Sequence, residues 1–195
     1  MLEGRSLRPS APRLLLAASL AAFAPACDSM PTPSAPTTQP LPAWQGHAQE
    51  VFDDGIDPSA VGLALDGGNP RMDPALRERA QMGEVVARVR IQTVTVDSVG
   101  ERSLYHLGLE VGVPPLAEPK IPDLHFELSI GPNNRSFTVV KAFESRLRGS
   151  TFVGFLHRFQ GEGGEAEVHW HLSADTAEVA AAVKEAVALR ELSGT

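Results

Sequence analysis

Residues 84–96 read Glu84-Val85-Val86-Ala87-Arg88-Val89-Arg90-Ile91-Gln92-Thr93-Val94-Thr95-Val96. Val85, Ala87, Val89 and Ile91 fall on one side of an extended chain, Arg88, Arg90 and Gln92 on the other. Period two with β-branched residues on the apolar side predicts a strand with one buried face. The rhythm returns at 103–111, where Tyr105, Leu107, Leu109 and Val111 oppose His106 and Glu110. It returns at 123–130, where Leu124, Phe126, Leu128 and Ile130 oppose His125, Glu127 and Ser129. At 165–172, Ala166, Val168, Trp170 and Leu172 oppose Glu165, Glu167, His169 and His171. Residues 151–159, TFVGFLHRF, are apolar on both sides, as in a strand covered on two faces.

Turn residues separate these segments. Gly131-Pro132-Asn133-Asn134 leads into a predicted short strand over Phe137–Ala142, and Gly161–Gly164 joins the last two strands. Val113–Pro122 holds Pro114, Pro115, Pro119 and Pro122 and reads as a crossover loop. Asp73-Pro74 and Gly83 bracket a short helix over 74–82. Asp175 and Glu178 open a C-terminal helix over roughly 175–191, whose stripe is Val179, Ala182, Val183, Ala186, Val187 and Leu189. The expected fold is therefore mainly β: an antiparallel β-sandwich-like domain of about six strands over residues 73–195, with an amphipathic C-terminal helix packed on it.

Upstream the pattern loosens. Residues 49–72 form an acidic irregular segment in which Asp53, Asp54, Asp57 and Asp66 invite a calcium reading. Their spacing does not match a calcium loop, and the Asp-Gly and Asn-Pro pairs are ordinary turn chemistry. Residues 27–48 begin with the sole cysteine, Cys27, and continue as a Pro/Ser/Thr-rich spacer that cannot bury enough apolar surface to fold alone. Trp44 stands out in it, as a contact folding back on the domain or as a recognition residue.

Residues 1–26 have the three parts of an export signal. Arg5, Arg8 and Arg13 precede the apolar run Leu14–Ala24, which is shorter than the roughly 20 residues a membrane span needs. Ala26-Cys27 resembles a lipobox, the site of lipoprotein processing, with Ala24 and Pro25 as departures. That reading makes Cys27 a lipidation site and anchors the chain to a bacterial membrane, inner or outer. Cleavage after Ala24-Pro25-Ala26 is the alternative and would release a soluble secreted or periplasmic protein. No disulfide scaffold can form from a single cysteine.

The formal net charge is −7. Removing residues 1–26 takes away three arginines and one glutamate and leaves about −9. Without a dense basic block, the chain is not expected to bind nucleic acid or anionic headgroups by charge.

The chain lacks a nucleophile elbow, a zinc-protease helix, a phosphate-binding loop and a dinucleotide fingerprint. No catalytic residues are assigned, and no enzyme activity is expected. His169 and His171 share one strand face about 7 Å apart. If His106 and His125 converge with them, the four would hold zinc or another imidazole-seeking metal. Otherwise they are outward polar residues and no cofactor is expected. Lys141, Arg146, Arg148, His157 and Arg158 form a second candidate group, for an anionic ligand or an acidic partner, or else scattered solubilising charge.

Ala26-Cys27, the Pro/Thr spacer, the strand VARVRIQTV, Phe155–Phe159, Val168–Leu172 and the Ala/Val-rich helix together resemble a family of small lipoproteins from high-GC proteobacteria such as myxobacteria. The resemblance implies no established activity and carries over no functional residues. The sequence thus predicts a non-enzymatic envelope lipoprotein, acting in interaction or structural support with an envelope protein as partner. The alternative is a ligand-capturing accessory lipoprotein that takes up a metal or corrinoid through the histidines.

Overall fold

A computed structural model describes residues 40–63, 68–99 and 102–193. The expected export signal, Cys27, the spacer as far as residue 39, and Asp66 lie outside the described residues. Six strands form one sheet: β1 (Gly55–Ile56), β2 (Val85–Val99), β3 (Arg102–Val111), β4 (His125–Ile130), β5 (Thr151–Gln160) and β6 (Ala166–Ala174). Their order is β1-β6-β5-β2-β3-β4, and every pair is antiparallel except β1 with β6. Four helices accompany the sheet: α1 (His47–Val51), α2 (Pro74–Met82), α3 (Phe137–Leu147) and α4 (Ala177–Ser193).

The alternation read from the sequence decides what each face buries. Val85, Ala87, Val89 and Ile91 of β2 join Tyr105, Leu107, Leu109, Leu128, Ile130, Trp170 and Leu172 in one core. The mixed sheet curls around this core, and Val140 and Leu147 of α3 close it. A β-bulge between Ile91 and Thr93 shifts the register, so that Val94 rejoins the buried face. The opposite face of β2 and β5 presents Val86, Val153, Phe155 and Phe159. These pack with Val51 of α1, Leu76 and Ala80 of α2, and Ala182, Val183 and Ala186 of α4. A mainly β domain with its C-terminal helix packed on it is what the chain forms. The layers over the sheet are helices on both faces.

The proline-rich crossover is a loop, as its composition predicts, and it has a structural task. Beyond Val89 the start of β2 has no partner in β3, and the loop takes its place. Gly112, Leu116 and Lys120 donate their N–H groups to the carbonyls of Arg88, Val86 and Glu84.

Three local expectations change. Phe137–Ala142 is not a strand but the first half of α3. Phe137, Val140 and Leu147 recur at helical spacing, and burying Val140 and Leu147 against the sheet outweighs the β preference of Thr138, Val139 and Val140. Asp175 does not cap the C-terminal helix. It pairs with Arg88 at 2.8 Å, and Thr176 Oγ1 accepts the N–H of Val179 at 3.2 Å. The folded domain also begins earlier than residue 73, because Pro42, Trp44, α1 and β1 are built onto the end and edge of the sheet.

A chain ending at Asp175 keeps all six strands but leaves Leu76, Ala80 and Phe155 without α4. Val183 alone contributes about 1.5–3 kcal/mol of burial, against a net domain stability of roughly 5–15 kcal/mol. The truncated chain is expected to lose cooperative thermal unfolding. A melting curve unchanged by the truncation would contradict the docking of α4.

Candidate functional site

His169 and His171 point to the helix-covered face of β6 and are both buried. The segment that buries them is residues 40–57. Its start is fixed to the end of β5, where Gln160 donates its N–H to the Pro42 carbonyl at 2.8 Å. Trp44 then stacks on the His169 ring, with centroids 3.5 Å apart and planes 7° from parallel. Its indole N–H donates to the Phe52 carbonyl at 2.9 Å. Trp44 is thus a contact folding back on the domain.

The three acids that follow are placed by a tight backbone turn. Asp54 sits at φ 49°, a left-handed conformation that aspartate tolerates better than most residues. Gly55 follows because a Cβ there would stand 2.5 Å from Asp53 Oδ1. Gly55 and Ile56 then pair with His171 and Leu172 as the parallel edge strand. Ser136 Oγ locks the turn by donating to the Asp54 carbonyl at 2.7 Å and accepting the Ile56 N–H at 2.9 Å.

This geometry brings each acid to a partner. His171 Nδ1 donates to Asp53 Oδ1 at 2.7 Å, and Nε2 donates to Asp57 Oδ1 at 3.1 Å. An imidazole donating from both nitrogens is an imidazolium. His169 Nδ1 donates to Asp54 Oδ2 at 2.9 Å, while Asp54 Oδ1 accepts the Trp170 N–H at 3.1 Å. Arg135 meets the second oxygen of Asp53 at 2.7 Å. The buried Arg79 of α2 donates to the Val51 carbonyl at 2.7 Å and adds positive charge facing Asp53 and Asp57. Three carboxylates therefore face His171, Arg79 and Arg135, besides His169.

Burial alone would lower the His171 pKa, but the hydrogen bonds to Asp53 and Asp57 outweigh it and hold it above the ordinary 6.5. Burial alone would raise Asp53 and Asp57, but their bonds to His171 hold both below the ordinary 3.8. Asp57 also lines an open cleft of about 480 Å³ with Ser59, Asp73, Leu76, Ser173 and Val179. The cleft's wall carries hydroxyls, but the imidazole behind Asp57 has no free nitrogen to act as their base.

The four sequence-predicted histidines do not assemble. His106 lies three strand steps from β6, about 14 Å along the sheet, and His125 lies one step further. His106 is engaged with Ser129, Glu127 and Asp97 at 3.2–3.3 Å, and His125 is exposed. Among the described residues, no three His, Cys, Asp or Glu side chains are grouped to hold a metal ion. Asp53 and Asp57 meet opposite edges of one ring, so no single point lies within reach of both and a ring nitrogen. The second candidate group also divides. Arg158 makes a two-pronged pair with Glu84 at 2.9 and 3.0 Å. His157 lies between Phe52 and Phe159, where burial lowers its pKa. Lys141 and Arg146 belong to α3, and Arg148 follows it.

Sequence reasoning missed the union of Asp53, Asp54 and Asp57 with His169 and His171. The available signal was one of chemical complementarity only: two histidines on one strand face, and three acids clustered at positions 53, 54 and 57. Comparison with known proteins returned no matching family model, no matching curated sequence and no matching solved structure.

Substituting His171 with Gln strands two carboxylates, which typically costs about 3–5 kcal/mol for a buried pair. The lower end is expected, because Asp57 is 37% exposed and its bond is partly screened by solvent. The pH dependence has a definite sign. With a raised folded pKa, the His171 contribution is complete below 6.5 and is lost as pH rises through that pKa. The Asp53 and Asp57 contributions are complete above 3.8 and are lost as pH falls through their depressed values. Urea unfolding is expected to show the largest advantage of wild type over His171→Gln near pH 5.5, shrinking by pH 9. An advantage that grows with pH would contradict the ion pairs.

Proposed function

We propose that the protein is exported through residues 1–26, acylated at Cys27 and held at a bacterial membrane. Its β-rich domain acts there by binding an envelope partner rather than by catalysis. The observation that carries this reading is the commitment of its best acid–base groups to one another. His171 has both nitrogens occupied by Asp53 and Asp57, and His169 is closed in by Trp44 and Asp54. A general base needs a free nitrogen within reach of a proton, and His171 has none, so it serves as a fastener instead.

The N-terminal docking also suits a tethered domain. The described domain starts at Pro40 and is pinned at once to the end of β5 by Pro42 and Trp44. Residues 28–39 separate that point from Cys27 and span at most about 45 Å when fully extended. A load on the anchor is thus met by the strap over β6 rather than by a free end. Multiple acyl chains, the usual product at a lipobox cysteine, supply lasting attachment where one chain gives only reversible binding.

Cys27→Ser tests the anchor. In a bacterial host, wild type is expected to incorporate labelled palmitate and fractionate with membranes, and the variant to lose both. Membrane association and label that survive the substitution would refute acylation at Cys27. Release of unlabelled wild type into the soluble fraction would favour cleavage after Ala26.

A further inference from the structure

A second cavity, lined by neither buried histidine, lies where the start of β3 faces the N-terminus of α3. Arg102, Ser103, Pro132, Asn133, Phe137 and Lys141 line it, and it encloses about 460 Å³. Its chemistry is one-sided. Two side chains are cations, two more can donate hydrogen bonds, and among the described residues no carboxylate lines the wall. Neither Arg102 nor Lys141 forms an ion pair among the described residues, although the chain as a whole carries a net charge of −7. The other basic groups near this side of the fold are committed elsewhere: Arg135 to Asp53, and Arg148 to the Val94 carbonyl.

The half-buried Phe137 ring, held edge-on by Tyr105 at 5.7 Å, gives the cavity an apolar wall.

We propose that this cavity is a receptor for a phosphate-type oxyanion, gripped by Arg102 and Lys141 while its apolar substituent rests on Phe137. Arg102 offers a planar fork suited to two oxygens, and Lys141 a point charge on the other side. The proposal stands independently of the anchor at Cys27. Free phosphate esters and phospholipid headgroups share the chemistry, and the experiment separates them.

Inorganic phosphate is titrated into the full-length protein in neutral detergent at low salt, followed by calorimetry. Saturable binding is expected, weakened about tenfold or more in the Arg102→Ala/Lys141→Ala double variant. Arg146→Ala removes one charge outside the cavity and is expected to leave binding within about twofold of wild type. Thermal melts of both variants establish that they are folded, as expected for changes at exposed side chains. A second arm mixes the Cys27→Ser chain, which has no lipid of its own, with phosphatidylglycerol or phosphatidylcholine vesicles. Capture by phosphatidylglycerol alone, lost in the double variant, identifies a headgroup as the source. Phosphate binding without capture identifies a soluble ester. Absence of both phosphate binding and vesicle capture would overturn the site, as would equal binding by wild type and the folded double variant.

Discussion

The pairing of His171 with Asp53 and Asp57 is the interaction on which the rest of the structure depends. It joins the last strand of the sheet to a segment more than a hundred residues earlier in the chain. Among the described residues upstream of α2, four features hang on that join: the two-residue edge strand β1, the turn at Asp54, helix α1 and the Trp44 stack on His169. Buried charge is costly, and it is tolerated here because three carboxylates face His171, Arg79 and Arg135. Such a cluster contributes specificity of placement as much as free energy. A hydrophobic strap could slide along β6, whereas each acid here has one nitrogen it can meet.

The same pairing governs what the site can do. A histidine pair on a strand beside several aspartates has the residue types of a metal centre or an acid–base dyad. Geometry decides against both uses for His171, since its two nitrogens are met from opposite edges by two carboxylates. Imidazole stacked on indole and closed by Asp54 makes His169 a packing residue with one polar bond.

Much of the sheet was legible in the sequence because its signal is local. Alternation in residues 84–96, 103–111, 123–130 and 165–172 maps directly onto β2, β3, β4 and β6, and the doubly apolar 151–159 onto the central β5. Asp73-Pro74 and Gly83 bracket α2 as their capping chemistry predicts. Phe137–Ala142 misleads because three β-branched residues, Thr138, Val139 and Val140, mask a helical stripe completed only at Leu147. The candidate site was illegible for a different reason. His169 and His171 look outward by alternation, and only the return of residues 40–57 turns that polar face into an interior. No local rule links Asp53 to His171 across 118 residues, so the acids read as turn formers and the histidines as ligands.

The central claim is that His171 is a buried, doubly bonded imidazolium that fastens residues 40–57 to the sheet. The most direct measurement is the nitrogen-15 and proton chemical shifts of the histidine rings, recorded through a pH titration with and without zinc. The account predicts that both ring nitrogens of His171 carry protons at pH 7, that its titration midpoint lies above 6.5, and that zinc leaves its signals in place. A neutral His171 ring at pH 7, or signals displaced by stoichiometric zinc, would contradict it.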